Sequence, residues 1–422
     1  MAYNDVVVLD GGCRTPFGKF MGSLYEFSAV DLGTIAAKEA MKRSGVQPDQ
    51  IDHVVFGIAQ QSDIHSFYGA RHIVLNSGIP KEVPAYNVAR ICASGFQSIA
   101  DCYMLIATGK ADIALAGGAD TMSRHPYIMS TLRAKLKEIG ERPLGRKLTV
   151  KDLVDLGLGN EEVEDQLWVW FQDPAADCLG MAGTAQNLAD KYKISREKQD
   201  LFAYNSHIRA AKAYDDGKIP AELVPVELKN GKSLEVDETL RPNTTLEKLS
   251  QLRPVFDPKY PIFKKDGTIT AGNASSIVDG AGAVILAREE VAKDLGLEYV
   301  ARIKSWNAAG VPPEIMGIGP VPAIRNAVKE ASLELKDIPY FEINEAFAAQ
   351  ILAVIKVLNL DQNKLNVNGG AIALGHPLGA SGTRLSIMGI NEMLREEHKY
   401  VVASACIGGG QGQAIVYENT TI

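Results

Sequence analysis

The sequence lacks features that mark several large classes of protein. It has no run of roughly 18 uncharged apolar residues, the length that spans a bilayer. It has no long basic run, and its net charge is −7 from 44 Lys and Arg against 51 Asp and Glu, so we expect no nucleic-acid partner. Its first residues show neither a signal peptide nor an Arg-rich transit pattern, which predicts a cytoplasmic protein.

Cysteine is also scarce. Five cysteines in 422 residues are too few and too scattered for a disulfide scaffold, and no pair has the spacing of a zinc knuckle. We therefore expect free thiols and no metal site. Each cysteine is then either buried filler or a chemical reagent: Cys13, Cys92, Cys102, Cys178 and Cys406.

Three common catalytic motifs are missing as well. The sequence contains no Walker A pattern ending in GK[ST], no G-x-S-x-G elbow and no H-E-x-x-H pair. These absences argue against P-loop, serine-hydrolase and zinc-protease chemistry. The glycines at 408–412 lie between two strand-like runs, which argues against a dinucleotide-binding fingerprint.

Short β-branched runs alternate with helical patterns along the chain. Continuous apolar runs suit strands buried on both faces, and the alternation predicts an α/β sandwich of layers. The predicted strands are Val6–Leu9, Val54–Ile58, Ile113–Leu115, Val284–Leu286, Val300–Ile303, Phe341–Ile343, Val401–Ala405 and Ala414–Tyr417. Helical spacing runs from Phe96 to Ile106, from Ile324 to Leu335, and through Thr184–Tyr192 and Arg196–Tyr214.

The chain is predicted to be duplicated. A strand-like run through Val54–Ala59 precedes Tyr86–Cys92 and a helix, and later Tyr340–Asn344 precedes Leu365–Gly370 and another helix. Each half closes with a Gly-rich turn into a strand. A repeat this long favours two similar domains over a solenoid.

The predicted boundaries place residues 1–122 with 271–298 in the first half and 299–422 in the second. Residues 123–270 are richer in charge and proline, and we interpret them as an inserted loop domain that serves as a lid.

Cys92 follows an extended segment and opens a helix that begins at Ala93. A thiol at a helix N-terminus faces unpaired N–H groups and the positive end of the dipole, so we expect its pKa to be lowered. The alternative is a buried cysteine that packs at a strand–helix junction.

Cys406 precedes three consecutive glycines, 408–410, after an apolar strand. Glycine there costs conformational entropy and needs a backbone reason. One reason is close approach of a ligand to N–H groups aimed at an oxyanion; the other is a turn between two strands.

His376 and Asn344 complete the candidate site. His376 lies in a Gly/Pro loop ahead of an apolar helix, where an imidazole can be held near a thiol as its base. Asn344 ends an apolar strand and either orients a water or carbonyl, or caps the next helix. His125 stays undecided. Two cysteines, a histidine and an asparagine at strand ends are more specific together than any one of them, because ligand sites in parallel sheets favour these ends.

Further ordered motifs surround these residues: Arg14–Gly18, Ala116–Ser123, Thr270–Ser275, Asn344–Phe347, Gly375–Gly382 and Cys406–Gly412. With the Cys92 segment, they resemble the thiolase family over nearly the whole length. The resemblance implies a five-layered αβαβα fold made of two like halves, with a loop domain inserted in the first.

The resemblance also implies roles for individual residues. Cys92 would be the acylated nucleophile, activated by His376, and Asn344 would hold a water that stabilises an oxyanion together with His376. The amides of Cys92 and Gly408 would form the oxyanion hole of the acyl-enzyme. Cys406 would be the acid/base at the α-carbon of acetyl-CoA.

Two further positions, Ser275 and Arg241, match contacts to coenzyme A. Coenzyme A and acyl-CoA are then substrates, and no permanently bound cofactor is expected. The family forms dimers or tetramers, so the resemblance implies a homo-oligomer; a β-oxidation complex is a further possible partner.

The implied reaction is thiolysis of a 3-ketoacyl-CoA or its reverse, the Claisen condensation of two acetyl-CoA molecules. Two segments, Gly18–Leu24 and Met316–Pro320, are similar to acetoacetyl-CoA thiolases, and we favour short-chain substrates. The alternative is a longer-chain thiolase of fatty-acid β-oxidation. The segment Thr131–Asp177 resembles the enlarged loop of those enzymes. The Leu167–Phe171 cluster within this segment either packs within the loop domain, lines an acyl tunnel or docks a partner.

Two departures from the family pattern and two rival functions remain. The run Leu179–Gln186 differs from the usual family pattern near the expected pantetheine region, and Pro258–Phe263 looks like an insertion. A ketoacyl synthase that uses carrier protein is the nearest rival, but that group pairs its cysteine with two histidines. A non-catalytic coenzyme A-binding subunit is disfavoured by the intact set of candidate residues.

Overall fold

Nine strands of four or more residues account for most of one large mixed sheet in the computed structural model, which describes residues 5–142, 147–177, 179–255 and 267–422. Cys178 and the candidate insertion Pro258–Phe263 lie outside these residues. The strands are β1 Val6–Leu9, β2 His53–Gly57, β3 Ala85–Val88, β4 Ile113–Thr121, β5 Val278–Arg288, β6 Tyr299–Gly310, β7 Tyr340–Ile343, β8 Tyr400–Ile407 and β9 Gln411–Asn419.

Eight longer helices accompany these strands: α1 Ala29–Ser44, α2 Gly69–Ser77, α3 Ser94–Ala107, α4 Met181–Tyr192, α5 Arg196–Asp215, α6 Pro320–Glu330, α7 Ala348–Leu358 and α8 Leu378–Arg395. Shorter helices are Leu132–Glu138, Val150–Asp155, Gln166–Trp170, Lys218–Glu222, Leu246–Ser250, Glu289–Asp294 and Ala371–Leu374. Two-residue strands lie at Cys13–Arg14, Gly18–Lys19, Tyr127–Ile128, Glu164–Asp165, Gln172–Asp173, Leu179–Gly180, Val226–Glu227 and Ser233–Leu234.

The strand order shows the duplication directly. It runs β7-β8-β9-β6-β1-β5-β4-β2-β3 across the sheet. In the first half β2 is parallel to β3 and β4, β4 is antiparallel to β5, and β5 is antiparallel to β1. In the second half β7 is parallel to β8 and bridges in parallel to Leu365, β8 is antiparallel to β9, and β9 is antiparallel to β6. The two halves therefore share one order and one set of directions.

Alternating side chains of each sheet half enter different cores, which defines the layers. Val54 and Phe56 pack with α1 and α2, whereas Val55 faces a central core with α3 and α8. In the second half Val402 packs with α6 and α7, whereas Ala403 joins the same central core. Since successive strand side chains point to opposite faces, the result is five layers, αβαβα. Each fully buried aliphatic side chain contributes about 1.5–3 kcal/mol to this arrangement.

The central helices α3 and α8 approach each other at glycines. A Cβ on Gly95 would lie 2.7 Å from the Thr383 nitrogen, and one on Gly382 would lie 2.1 Å from the Phe96 nitrogen. No larger side chain fits there without a backbone shift, so the two glycines bring the N-terminal turns of the helices together. These turns carry the candidate chemistry.

Local sequence signals set the helix ends. Ser28 caps α1: its hydroxyl accepts from the Asp31 amide while the Asp31 carboxylate accepts from the Ser28 amide, and Gly45 ends the helix at φ 76°. The predicted helix through Leu335 is shorter than expected. The α6 helix ends at Glu330 and Ser332 adopts φ 59°, so Leu335 lies in a separate 3₁₀ turn.

The described chain forms two compact units, residues up to Arg124 with those from Asp173 onward, and His125–Gln172. The smaller unit contains the Tyr127–Ile128 and Glu164–Asp165 strand pair and the helix Gln166–Trp170. Most of the region predicted as one insertion, from Asp173 onward, thus belongs to the larger unit. The division into two halves and an insert with the boundaries given above stays a prediction. Among the described residues, no helix has the length and apolarity needed to cross a bilayer.

Candidate active site

Cys92 lies in a 3₁₀ turn, Ile91–Ala93, between β3 and α3, and is 8% exposed. This turn contacts both β8 and α8. The amide of Gly408 hydrogen-bonds the Cys92 thiol, and Cys92 is close enough to Cys406 for a charge on its sulfur to raise the pKa of Cys406. The structure therefore brings Cys406 and Gly408 next to Cys92, although both lie more than 300 positions further along the chain.

The ring of His376 is held in one tautomer. Its Nδ1 lies 2.5 Å from the Ser381 hydroxyl, which donates its own hydrogen to the Pro377 carbonyl at 2.8 Å. The Ser381 oxygen must then accept from His376, so Nδ1 carries the hydrogen and Nε2 presents a lone pair. A neutral imidazole in this tautomer can accept the proton of a thiol.

Asn344 follows β7 directly and is fully buried. Its Nδ2 lies 3.2 Å from His376 Nε2 and donates to it, and its backbone amide donates to the Ser404 carbonyl at 2.9 Å. Its Oδ1 has no hydrogen-bond partner in the part of the chain that the structure describes. Because α7 begins at Ala348, with Phe347 at the N-cap position, Asn344 does not cap that helix.

The glycines after Cys406 serve two purposes. Gly409 and Gly410 both adopt φ 84°, and a Cβ on Gly410 would lie 2.3 Å from the Val311 carbonyl oxygen, so these two form the turn between β8 and β9. A Cβ on Gly408 would meet nothing closer than 3.5 Å. The position over Gly408 is in ordinary contact with Met181 and Ile91, and the Gly408 amide faces the Cys92 thiol.

Burial dominates the electrostatics of the site. It raises the pKa of Cys92 to about 11, although the amides of Gly408 and Cys92 act in the opposite direction. The pKa lowering predicted from the helix N-terminus is therefore wrong for this thiol. Removal from water destabilises the thiolate more than hydrogen bonds from these N–H groups stabilise it. Burial, aided by Arg384, lowers the pKa of His376 to about 3. The resting pair is a neutral thiol and a neutral imidazole.

An apolar wall lies beside these groups, and the sequence analysis did not identify it. Cys406 clusters with Met316 and Ala346, and Met181 and Phe347 pack against them. The sequence singled out the segment around Met181 only as a departure from the family pattern. No spacing rule could have paired it with Met316, because the two come from different parts of the chain.

Ile91, the residue before Cys92, is strained. It has φ 45°, a left-handed conformation that a β-branched residue rarely adopts. Its side chain is 41% exposed, and its methyl carbons lie within 3.9 Å of the position a Cβ on Gly408 would take. The strained backbone thus sets the direction of the Cys92 turn toward Gly408.

The two predicted coenzyme A contacts lie in different places, Ser275 beside the apolar wall and Arg241 at the surface. Ser275 is partly buried, and its amide donates to the Ala346 carbonyl at 3.0 Å, which ties it to the loop after Asn344. Arg241 is exposed and lines a surface cavity of about 340 Å³ together with Lys248.

His125 belongs to the smaller unit. Burial lowers its pKa to about 4, and its ring packs edge-on against Trp170 with centroids 5.1 Å apart. In the predicted aromatic cluster Leu167 is buried, whereas Trp168 and Trp170 are 41% and 37% exposed. The cluster therefore packs only in part within its own unit.

The neutral state of Cys92 gives a pH prediction. Since the thiol pKa is raised to about 11, the thiolate fraction should rise about tenfold per pH unit from about pH 6 to about pH 8. We expect the rate of iodoacetamide inactivation, followed by loss of activity and by mass of the Cys92 peptide, to rise in the same way. A rate that is flat over this range would mean that a thiolate–imidazolium pair already exists in the resting enzyme.

A buried cysteine turn and a buried histidine–asparagine pair thus lie next to the strands and central helices of a duplicated α/β fold. Residues 6–290 match the family described as Thiolase, N-terminal domain, and residues 297–419 match Thiolase, C-terminal domain. The mitochondrial 3-ketoacyl-CoA thiolase of Pongo abelii is 47% identical over 411 residues, which cover 96% of each chain. The acetyl-CoA acetyltransferase of Syntrophomonas wolfei is 40% identical over 417 residues, which cover 98% of each chain.

A solved structure agrees with these sequence relatives. Human mitochondrial 3-ketoacyl-CoA thiolase in complex with CoA superposes with a TM-score of 0.89 at 46% identity, covering 100% of this chain and 99% of that one. The chain belongs to the thiolase family. The predicted five-layered fold and the predicted enzyme class, an acyltransferase, are confirmed with it.

The predicted cytoplasmic localisation is contradicted. The relatives from Pongo abelii, Homo sapiens and Bos taurus are named as mitochondrial proteins. Bacterial relatives match over the same length. Because relatives of both groups match nearly the whole chain, similarity over this length does not fix the compartment.

Proposed function

We propose that this protein cleaves 3-ketoacyl-CoA with coenzyme A, and catalyses the reverse condensation, through a thioester on Cys92. The observation that carries the proposal is that the Cys92 turn contacts β8 and α8, with the Gly408 amide and Cys406 beside the Cys92 thiol, while the oriented His376–Asn344 pair directly precedes α8 and follows β7. A nucleophile, a base, an oxyanion donor and a second proton carrier are the groups that thiolysis needs.

In the first half-reaction Cys92 Sγ attacks the ketone carbon while His376 Nε2 takes the thiol proton. The bond between the α- and β-carbons then breaks, and the electron pair leaves as the enolate of acetyl-CoA. The Cys406 thiol donates its proton to the α-carbon. This leaves an acyl group on Cys92, a protonated His376 and a Cys406 thiolate.

In the second half-reaction the coenzyme A thiol attacks the acyl-Cys92 carbonyl and gives its proton to the Cys406 thiolate. The Cys92 sulfur leaves and takes back the proton from His376. Acyl-CoA departs, and both cysteines and the imidazole regain their neutral resting forms. These forms are the ones that burial favours.

The oxyanions of both steps need fixed donors. The amides of Cys92 and Gly408 point at the Cys92 sulfur from the end of the Ile91 turn and from the β8–β9 turn. The unpartnered Asn344 Oδ1 fits a water that Asn344 and His376 would share. Removal of one such donor typically costs about 100- to 1,000-fold in rate.

Coenzyme A itself is the substrate, and no permanently bound cofactor is part of the proposal. The cavity beside Arg241 and Lys248 presents two cations suited to phosphate groups. Its Leu249 and Leu252 side chains pack on Gly272, three residues before Ser275. The human relative solved in complex with CoA supports coenzyme A as a ligand of this chain.

We also propose a homodimer or homotetramer. The β3 strand is at the end of the sheet, and exposed apolar side chains lie on and near it, at Phe67, Tyr68, Tyr86 and Met104. An edge strand with exposed apolar neighbours suits pairing with a second copy.

Two substrate classes remain candidates. Acetoacetyl-CoA is favoured by the Gly18–Leu24 and Met316–Pro320 segments and by the relative named acetyl-CoA acetyltransferase. Longer 3-ketoacyl-CoA is favoured by the higher identity to relatives named 3-ketoacyl-CoA thiolase. The apolar wall of Met181, Met316 and Phe347 is compatible with an acyl chain.

The test is a substrate series. Acetoacetyl-CoA with coenzyme A should give acetyl-CoA, seen as loss of the enolate absorbance, and kcat/KM compared with a medium-chain and a long-chain 3-ketoacyl-CoA ranks the two classes. Acetoacetyl groups on acyl carrier protein are the control. Activity with the carrier-protein substrate alone would reject the proposal in favour of a ketoacyl synthase.

A further inference from the structure

Asp120 occupies, in the first half, the place that Cys406 occupies in the second. The last residue of β2, Gly57, pairs with Gly118 of β4, and Asp120 follows two residues later. The last residue of β7, Ile343, pairs with Ser404 of β8, and Cys406 follows two residues later. On the neighbouring antiparallel strand, Asp120 lies opposite Gly280 and Cys406 lies opposite Gly412.

The two central helices show the same correspondence between the two halves. Cys92 stands two residues before the first residue of α3, and His376 stands two residues before the first residue of α8. Cys406 from the second half lies beside Cys92 of the first. Asp120 from the first half correspondingly reaches α8 of the second, where its Oδ2 accepts from the Gly379 amide at 2.5 Å.

The contact between β4 and the start of α8 leaves no room for adjustment. A Cβ on Gly118 would lie 2.0 Å from the Gly379 carbonyl oxygen, and one on Gly379 would lie 2.7 Å from the carbonyl oxygens of Ala119 and Gly57. Asp120 is fully buried there. The same helical turn carries Ser381, which holds His376 Nδ1. A single turn of α8 therefore connects the Asp120 carboxyl group to the His376 ring.

We propose that Asp120 is a positioning residue for the reaction: it fixes the first turn of α8 and thereby holds the His376 ring toward Cys92. The inference rests on the proposed function, since it assigns the support of the base in that mechanism. Asp120 touches neither substrate nor reacting atoms.

The charge state of Asp120 matters because Cys92 is nearby. Burial raises the pKa of Asp120 to about 8, and Asp279 of β5 adds to the rise, while the amides of Gly379, Gln60 and Ala59 oppose it. An ionised Asp120 would in turn raise the pKa of Cys92. At neutral pH the carboxyl group is protonated, so it anchors the helix without opposing a developing thiolate.

The experiment compares Asp120→Asn with Asp120→Ala, and uses Asp279→Asn as the matched control. Asn keeps the size and an oxygen acceptor for the Gly379 amide but carries no charge at any pH, whereas Ala removes the acceptor. Asp279 is a second buried carboxyl group, bonded to the Ser123 amide and not to α8. Wild type and all variants are assayed on acetoacetyl-CoA and by thermal unfolding.

We expect Asp120→Ala to lower kcat by about 100-fold with KM little changed, because a small displacement of a catalytic group is enough for such a loss. Asp120→Asn and Asp279→Asn should stay within about fivefold of wild type at about pH 7. Wild-type kcat in a folded Asp120→Ala variant would overturn the proposal. So would an equal loss in Asp120→Asn, since a neutral acceptor should suffice.

A second readout does not depend on the Ala variant folding. Iodoacetamide inactivation of wild type should rise less steeply above about pH 8, where Asp120 ionises beside Cys92, whereas Asp120→Asn should continue at about tenfold per pH unit. Superposable profiles would contradict the proposal. Failure of the proposed function is distinguishable, because it would show as a wild-type enzyme that does not cleave acetoacetyl-CoA.

Discussion

Cys92→Ala should abolish turnover, with kcat lowered by about 10,000-fold or more, because it removes the sulfur that carries the acyl group in the proposed mechanism. Incubation of wild type with acetyl-CoA should add the mass of one acetyl group to the peptide that contains Cys92. The variant should show no such adduct. The substitution removes a single sulfur from a tightly packed turn, so the fold should persist.

Cys102→Ala is the matched control for this prediction. Cys102 is also fully buried and lies on α3, only ten residues away along the chain, but its thiol donates to the Leu115 carbonyl and not into the site. It should lose stability at most and keep turnover. Full activity in Cys92→Ala, or an acetyl adduct on another cysteine, would reject Cys92 as the nucleophile.

Cys406→Ala should separate the two kinds of chemistry that the site performs. Carbon–carbon cleavage and condensation need a proton carrier at the α-carbon, so their rates should fall by about 100- to 10,000-fold, the range of general acid–base catalysis. Acetylation of Cys92 by acetyl-CoA needs no proton at that carbon. It should still occur and should remain visible by mass spectrometry.

Two measurements decide this prediction. One is acetoacetyl-CoA cleavage, and the other is exchange of labelled coenzyme A into acetyl-CoA, which uses only the thioester steps. Exchange needs Cys406 only for the proton of the coenzyme A thiol, a proton that this thiol can also exchange with water. Cys13→Ala is the control. Cys13 is buried, lies far from Cys406 along the chain, and its thiol donates to the Ala36 carbonyl. Equal loss of cleavage and exchange in Cys406→Ala would show that Cys406 supports Cys92 and does not handle the α-proton.

The strand predictions succeeded because the sheet is buried on both faces. The β1 strand matches its predicted bounds, Val6–Leu9, and the apolar runs at Ile113–Leu115 and Val284–Leu286 lie inside longer strands. The extensions contain Gly117, Gly118, Gly280 and Gly282, which the search for β-branched runs passed over. Glycine is needed there because the Phe56 ring lies against Gly117, Phe17 packs on Gly280, and α8 packs on Gly118 and Gly282.

The support of His376 shows a different limit. Ser381 was part of a motif that the sequence identified, yet its bond to the imidazole depends on how the loop folds back on the first turn of α8. Asp120 lies more than 250 positions before Gly379, and no spacing rule joins them. The register of two sheet halves, and not sequence distance, places this carboxyl group against that helix.

The sequence alone determined the family, the layered fold and the kinds of residue in the site, because apolar periodicity and the ordered motifs are local properties of the chain. The tertiary structure decided which groups are ionised, which tautomer His376 adopts and which residues hold it. Those properties depend on removal from water and on hydrogen bonds between the two halves. A helix N-terminus predicts a thiolate at Cys92, but burial reverses that prediction, since desolvation of a charge outweighs the dipole of one helix.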